Sequence, residues 1–468
     1  SARPRAETAM EPLSEAFSLP ELAEALPPVA LPAPPEVAPA GARRPAAALL
    51  ERARRWAKLL SAFLTAQALT QLLGVSAGLL LVRTMPVQQF ALYTLALSMV
   101  SFFTFLSDLG STTSLLYFFH RSAGDESEFP LYFAAVRSLR RLAFLAGAAA
   151  VAAALPRAAL AKGFGATEIA LATAGVLLCV WFQIDASLSV LALRLADRYG
   201  KSYRAEVAGG GMRLLSAAVL IAVSRLYAWL AVLGNAAAIA TVSLLARPAA
   251  SRPPARTLLA PYRRRILRYL LPTLPSALYF SIQGPLVVWL SATFGATRNI
   301  AEVGALSRLG MLVGLLSNLS GIVLLPRLAR IADEGLYRRR CAQFGAVLVA
   351  MAVALYLTVL AFPHALLALL GEHYRGLDSE LLLVVCGAGI TLVGGYVMSV
   401  NLARSWTRWQ GVTVALLAIA QALLVKTLPL GTTRGVLVFN VLSAGIGLGM
   451  QSIILVLGFT RPKVVHWE

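Results

Sequence analysis

Arg213 stands in the middle of an apolar run, residues 205–223, and shares a helical face with Glu206, Gly209, Gly210, Ser216 and Ala217. Small and polar residues at that spacing make one side of a helix. An arginine at hydrocarbon depth costs about 2.5–3.5 kcal/mol on insertion scales, so it is a candidate for function. Aimed into a wet cavity, its guanidinium binds a pyrophosphate through charge-assisted, bidentate hydrogen bonds. The competing reading is a structural ion pair. Asp185 lies as far before Tyr199 as Arg213 lies after it, so the two match in depth. Both readings stand on the sequence.

Arg308 is also open to two readings. Its own face carries Leu312, Leu315 and Leu319, while Ser307, Gly310, Gly314, Ser317, Asn318 and Gly321 form a small face more than a right angle away. Near the end of its run it can snorkel to headgroups. Asp108 sits at the end of another run, within reach of loop arginines. Helix-end electrostatics or a structural pair explains it more simply than proton coupling. Gln67 and Gln71 are one turn apart and share a face with Thr70, Gly74 and Gly78. That face suits sugar hydroxyls, and it equally suits close helix packing. Gln283, Asn318 and Asn401 are weaker candidates of the same kind.

Other chemistry is not indicated. Cys179, Cys341 and Cys386 are far apart and the four histidines are scattered, so neither a disulfide framework nor a metal site is expected. A GxxxxGK[ST] phosphate loop is missing, so the chain is not expected to power itself with ATP. No cofactor and no catalytic group are expected.

The elements that hold these residues are membrane spans. The sequence is 58% hydrophobic and 14% charged, against roughly 45–50% and 25% in soluble domains. Twelve apolar runs lie near residues 59–82, 88–110, 133–155, 168–190, 205–223 and 227–246, then 269–292, 303–325, 342–362, 381–403, 409–428 and 435–459. Most reach the ~20 residues that cross a hydrocarbon core of ~30 Å. Arg and Lys concentrate in every second gap, as in Arg137-Arg140-Arg141, Arg194-Arg198-Lys201-Arg204, Arg263-Arg264-Arg265-Arg268 and Arg338-Arg339-Arg340. The alternate gaps hold only isolated charges such as Arg83, Lys162 and Arg298. The formal net charge of +20 is therefore positive-inside topology with both termini cytoplasmic, and no nucleic-acid partner is expected.

The chain divides on this reading into an Ala/Pro-rich cytoplasmic tail (1–50), a six-helix lobe (51–246), a basic linker (247–268), a second six-helix lobe (269–460) and a short cytoplasmic tail (461–468). The first stretch has no signal-peptide core and reads as disordered. A docking helix near residues 13–26 is the alternative, interrupted by Pro20. The linker reads as a flexible surface connection rather than a packed element. A faint repeat pairs residues 90–98 (FALYTLALS) with 299–307 (NIAEVGALS), each opening the second span of its half. Two sixes with the same entry side predict a pseudo-two-fold along the membrane normal.

Several local patterns resemble the polysaccharide repeat-unit (Wzx-type) flippases of the multidrug/oligosaccharidyl-lipid/polysaccharide exporter superfamily. They are Leu81-Val82-Arg83 with Phe90-Ala91-Leu92-Tyr93 and Leu106-Ser107-Asp108-Leu109-Gly110, then Leu270-Leu271-Pro272-Thr273-Leu274-Pro275. They continue with Gly304-Ala305-Leu306-Ser307-Arg308, Leu325-Pro326-Arg327-Leu328-Ala329-Arg330 and Leu370-Gly371-Glu372-His373-Tyr374. Their order covers residues 59–459. The resemblance implies two six-helix lobes around a central cavity that moves polyprenyl-pyrophosphate oligosaccharide across a bacterial inner membrane. It implies membrane lipids, a glycan polymerase and glycosyltransferases as partners, and a cavity role for Arg308. Two rivals remain. A cation-coupled multidrug exporter of the same fold usually places a carboxylate in its first or seventh span, and both spans here lack one. Membrane-embedded glycan polymerases or ligases typically carry a sizeable external loop, whereas the longest external gap here, 363–380, holds little chemistry.

Overall fold

Apolar runs rich in Ala, Leu and Val become helices, because in lipid only a helix satisfies every backbone polar group within one segment. The computed structural model describes residues 45–121, 128–247, 256–271, 274–311, 333–404, 406 and 409–460. Two units are distinguished, Ser1–Lys58 and Leu59–Glu468. Of the first, the described part is helical from Pro45 onward; the second holds all the candidate membrane spans. The helix near 13–26 and the expected tails lie outside the described residues, except that 45–50, expected in the disordered tail, are helical and continuous with the first span.

The helices in chain order are α1 (Pro45–Thr84), α2 (Val87–Asp108), α3 (Ser111–Arg121), α4 (Glu128–Leu160), α5 (Ala166–Leu195), α6 (Tyr199–Ala222) and α7 (Ala228–Leu245). Then come α8 (Ala260–Leu270) and α9 (Leu274–Phe294), followed by α10 (297–311). The series ends with α11 (Glu334–Ala361), α12 (Pro363–Leu370), α13 (Asp378–Ala403), α14 (Gln410–Thr427) and α15 (Thr433–Thr460). No strand forms among the described residues. Eleven helices are long and apolar enough to span a bilayer, and α10 opens the run expected as the eighth span. The protein is an all-α polytopic membrane protein built as two lobes.

In the first lobe α7 packs on α5 and α6, and α2 packs on α4 and α5. In the second, α13 packs on α11 and α15, with α14 against α15. Small residues allow the close approaches. A Cβ at Gly209 of α6 would lie 2.3 Å from Val242 Cγ2 of α7, so that face serves helix packing.

The lobes meet through α2 against α9 and α10. Trp289 Nε1 donates to Ser98 Oγ at 3.1 Å, and its ring meets Phe102 edge-on. Gly304 of α10 lies directly on Thr94 of α2. Residues 90–96 and 300–306 are all buried, with 97 and 307 less so. The repeat therefore runs 90 with 300, one residue away from the Ala-Leu-Ser match, and one residue turns a helical face by about 100°. In the corrected register Thr94 and Gly304 are equivalent and touch, as residues beside a pseudo-two-fold axis must.

One end of the lobe interface is sealed by reciprocal contacts. Lys162, between α4 and α5, donates to the Gly295 carbonyl at 2.5 Å, in the α9–α10 turn. Gly371, after α12, packs on Arg83 in the last turn of α1, with 3.3 Å between its missing Cβ and Arg83 Cγ. Gly371 has φ +97°, a conformation glycine tolerates best. Tyr374 meets Phe90 edge-on, and burial together with nearby Glu302 pushes its phenol pKa up. The gap 363–380, expected to hold little chemistry, supplies half of this seal.

The opposite end carries the arginine clusters. The described part of the linker, from residue 256, is not a loose connection: Leu259, Ile266 and Leu270 bury against Leu115, Phe118 and Tyr132. Arg263 Nε donates to Ser138 Oγ at 2.7 Å, and Tyr117 stacks on Tyr269 at 4.9 Å. Residues 269 and 270 therefore close α8, and the seventh span starts at Leu274 rather than at 269. The reason is periodicity. An apolar stripe within a basic segment makes an amphipathic helix that docks sideways.

Candidate functional site

The two mid-membrane arginines converge. Arg213 lies fourteen residues into α6, about 21 Å from its basic end, and Arg308 lies eleven residues into α10, about 17 Å from the sealed end. Both are partly buried, and the Nε of each is buried with no hydrogen-bond partner among the described residues. They lie along the small-residue face of α1. A Cβ at Gly74 would stand 3.5 Å from Arg213 Nη1, and one at Gly78 would stand 3.2 Å from Arg308 Cδ. Larger side chains at these two positions, one turn apart, would displace the arginines.

Tyr93 joins them. The Arg308 guanidinium sits 5.8 Å from the centre of its ring, a cation–π distance. Arg213 is within electrostatic range of Tyr93, Arg308 and Cys179. Arg308 also has Nη1 at 3.9 Å from Met311 Sδ. It points into the lobe interface and does not snorkel outward.

No acidic group among the described residues neutralises this pair, since the nearby carboxylates are engaged elsewhere. Asp185 of α5 accepts from Arg137 at 2.8 Å and lies 3.6 Å from Arg141. The expected Asp185–Arg213 pair is therefore not formed, because Arg137 and Arg141, one turn apart on α4, flank Asp185. Glu206 accepts from Arg194 at 2.8 Å and from Gln67 at 3.3 Å. Two like charges at hydrocarbon depth without a counter-charge make a candidate anion site.

The remaining candidates divide. Gln67 braces Glu206, while Gln71 makes no hydrogen bond among the described residues. Gln283 is taken by Gln421 of α14 in a reciprocal pair at 2.9 Å each way, joined by Tyr279 at 3.2 Å. It ties α9 to α14. Asn401 donates to Gln451 at 2.9 Å and 3.0 Å. Asn318 lies outside the described residues. Asp108 is bonded by Arg140 and, at 2.7 Å, by Thr112 Oγ1.

Two contributors escape sequence reasoning. Tyr93 looks like one more apolar core position, and its place in the Phe90-Ala91-Leu92-Tyr93 pattern is the available signal. Arg140 reads as a loop cation, yet its side chain is 3% exposed. It donates to Ser111 at 2.7 Å and Ser187 at 2.8 Å as well as to Asp108.

No family model matches the sequence, and no curated protein matches it. Solved structures do. A multidrug resistance MATE family transporter of the MOP superfamily, in an inward-facing conformation, aligns with TM-score 0.58 and 15% identity over 84% of this chain and 96% of its own. The lipid II flippase MurJ, inward closed, aligns with TM-score 0.64 and 11% identity over 84% and 88%. A MATE in complex with MaD3S gives 0.50 and 14% over 85% and 95%. The chain has the fold of the MOP superfamily transporters.

Proposed function

We propose that this protein is a flippase that carries polyprenyl-pyrophosphate-linked oligosaccharide from the inner to the outer leaflet of a bacterial cytoplasmic membrane. The observation that carries this is the Arg213–Arg308 pair, uncompensated by any described carboxylate at mid-membrane between the lobes. A pyrophosphate supplies the missing counter-charge, and planar guanidinium groups match its oxygens. The lipid tail stays in the bilayer while the headgroup enters the cavity. The lipid II flippase among the matched structures supports a lipid-linked cargo.

On this reading the basic end and both termini face the cytoplasm. The sealed end then faces outward, and the arginine pair is reached from inside. Transport follows by opening the Lys162–Gly295 and Arg83–Gly371 contacts while closing the basic end, a rocking of two lobes without ATP hydrolysis. A glycan polymerase and glycosyltransferases are the natural downstream and upstream partners. A cation-coupled multidrug exporter is the alternative that the matched MATE structures suggest. Its cationic cargo would be repelled by two unpaired arginines.

Glycan export in cells tests the reading. Arg213→Ala should abolish export at nearly normal protein level, with Arg213→Lys restoring only part because it lacks the planar fork. Full export by Arg213→Ala would overturn it.

A further inference from the structure

A second cavity, apolar with a few polar groups, lies in the first lobe, on the basic side of the arginine pair. It is a half-open cleft of about 180 Å³ between α2, α4 and α5, with mostly apolar walls that carry the polar groups of Thr104, Ser107, Asp108, Arg140, Gln183 and Ser187. Two helices connect it to the anion site. Tyr93 and Thr104 on α2 are three turns apart and about 20° apart in azimuth, so they share a stripe. Cys179, within range of Arg213, is one turn from Gln183 on α5, about 6 Å.

The two sites differ in charge. Arg140 is neutralised by Asp108 and further held by Ser111, Thr112 and Ser187, which together take four of its five N–H donors. The cavity therefore has no spare cation to hold an anion. What it offers is neutral hydrogen bonding. Ser107 is 4% exposed and its Oγ is buried without a partner. The Gln183 amide makes no hydrogen bond among the described residues, and the second Asp108 oxygen is not used by these contacts. Phe105, 57% exposed, contributes an aromatic wall. Hydroxyl, amide and carboxylate groups around an aromatic ring match a sugar, whose hydroxyls need donors and acceptors and whose C–H face packs on a ring. The volume is below the ~300 Å³ of a drug-sized site, room for one ring and not a chain.

Resting on the flippase reading, we infer that this cavity is a sugar subsite that holds the monosaccharide attached to the pyrophosphate while Arg213 and Arg308 hold the phosphates. The arginines then supply affinity common to every polyprenyl pyrophosphate. The cavity supplies selection of the glycan.

Calorimetry on the full chain in detergent tests this. The probes are farnesyl pyrophosphate and its glucosyl, galactosyl and N-acetylglucosaminyl pyrophosphoryl derivatives. At least one derivative should bind about tenfold more tightly than farnesyl pyrophosphate, the effect of one or two well-made hydrogen bonds. Gln183→Leu should erase that gain and leave farnesyl pyrophosphate binding unchanged, and Ser107→Ala gives the same comparison with minimal change in packing. Arg213→Gln should weaken all four ligands together. If no derivative gains over farnesyl pyrophosphate, or if both cavity variants keep the full gain, the cavity is only a water-filled void and the inference falls. If Arg213→Gln leaves farnesyl pyrophosphate unaffected, the anion site fails instead, and the sugar-dependent gain is still read at Gln183.

Discussion

A methyl group on Gly304 is the smallest change that pries the lobes apart where they touch. Its Cβ would lie 2.2 Å from Thr94 Oγ1, 2.5 Å from Cγ2 and 2.9 Å from Cβ. Rotating the threonine moves the first two atoms but not the third, so a helix has to shift. Overpacking of this kind costs about 1–3 kcal/mol. The general gain of about 0.5–1 kcal/mol from Gly→Ala in a helix applies to both transport states and cancels. Only the state with Thr94 against Gly304 bears the clash, and ~1.4 kcal/mol is a factor of ~10 in an equilibrium. Gly304→Ala should therefore reduce the sealed population by about five- to hundredfold relative to the opposite state. Arg83→Cys with Glu372→Cys, on a background without Cys179, Cys341 and Cys386, reports the seal through its rate of oxidative cross-linking. That rate follows the sealed fraction and should fall, and adding Thr94→Gly should restore most of it. An unchanged rate in folded Gly304→Ala protein would refute the contact as part of the gate.

Arg140→Met should cost about 1.5–3 kcal/mol, because it removes the charge-assisted hydrogen bond to Asp108, which is a third exposed and keeps Thr112 as a donor. Arg137→Met should cost under ~1 kcal/mol, since Arg137 is 40% exposed and Arg141 also flanks Asp185; thermal melts in detergent compare the two. Gln283→Leu alone should lose about 1–3 kcal/mol by orphaning Gln421, and Gln283→Leu with Gln421→Leu should recover most of that. Ile266→Asp puts a charge into the fully buried stripe of α8. It should speed tryptic cleavage at Arg263–Arg265 at least ~10-fold by undocking the helix; an unchanged rate would contradict the packing described.

Much of the fold is legible because membrane spans announce themselves by length and composition, and lobes by their charged gaps. The depth of Arg213 and Arg308 is legible for the same reason. Azimuth is not. Asp185 and Arg213 match in depth, yet Asp185 points to α4, and only the placement of Arg137 and Arg141 decides that. The repeat is visible but off by one residue, because three identical letters outweigh the burial pattern. The stripe of Leu259, just before α8, with Ile266 and Leu270 on it, is present in the sequence, hidden among arginines that suggest a solvated linker. Arg140 reads as a surface cation because a helix running past the bilayer carries its first turns into protein, where hydropathy windows see only charge.

The central claim is that the arginine pair carries a lipid pyrophosphate. Proteoliposomes test it most directly, with dithionite access to a fluorescent polyprenyl-pyrophosphoryl oligosaccharide measured beside ethidium uptake. The account predicts translocation of the lipid by the wild type, loss with Arg213→Gln or Arg308→Gln, and no ethidium transport. Ethidium transport without lipid translocation, or lipid translocation that survives both substitutions together, would contradict it.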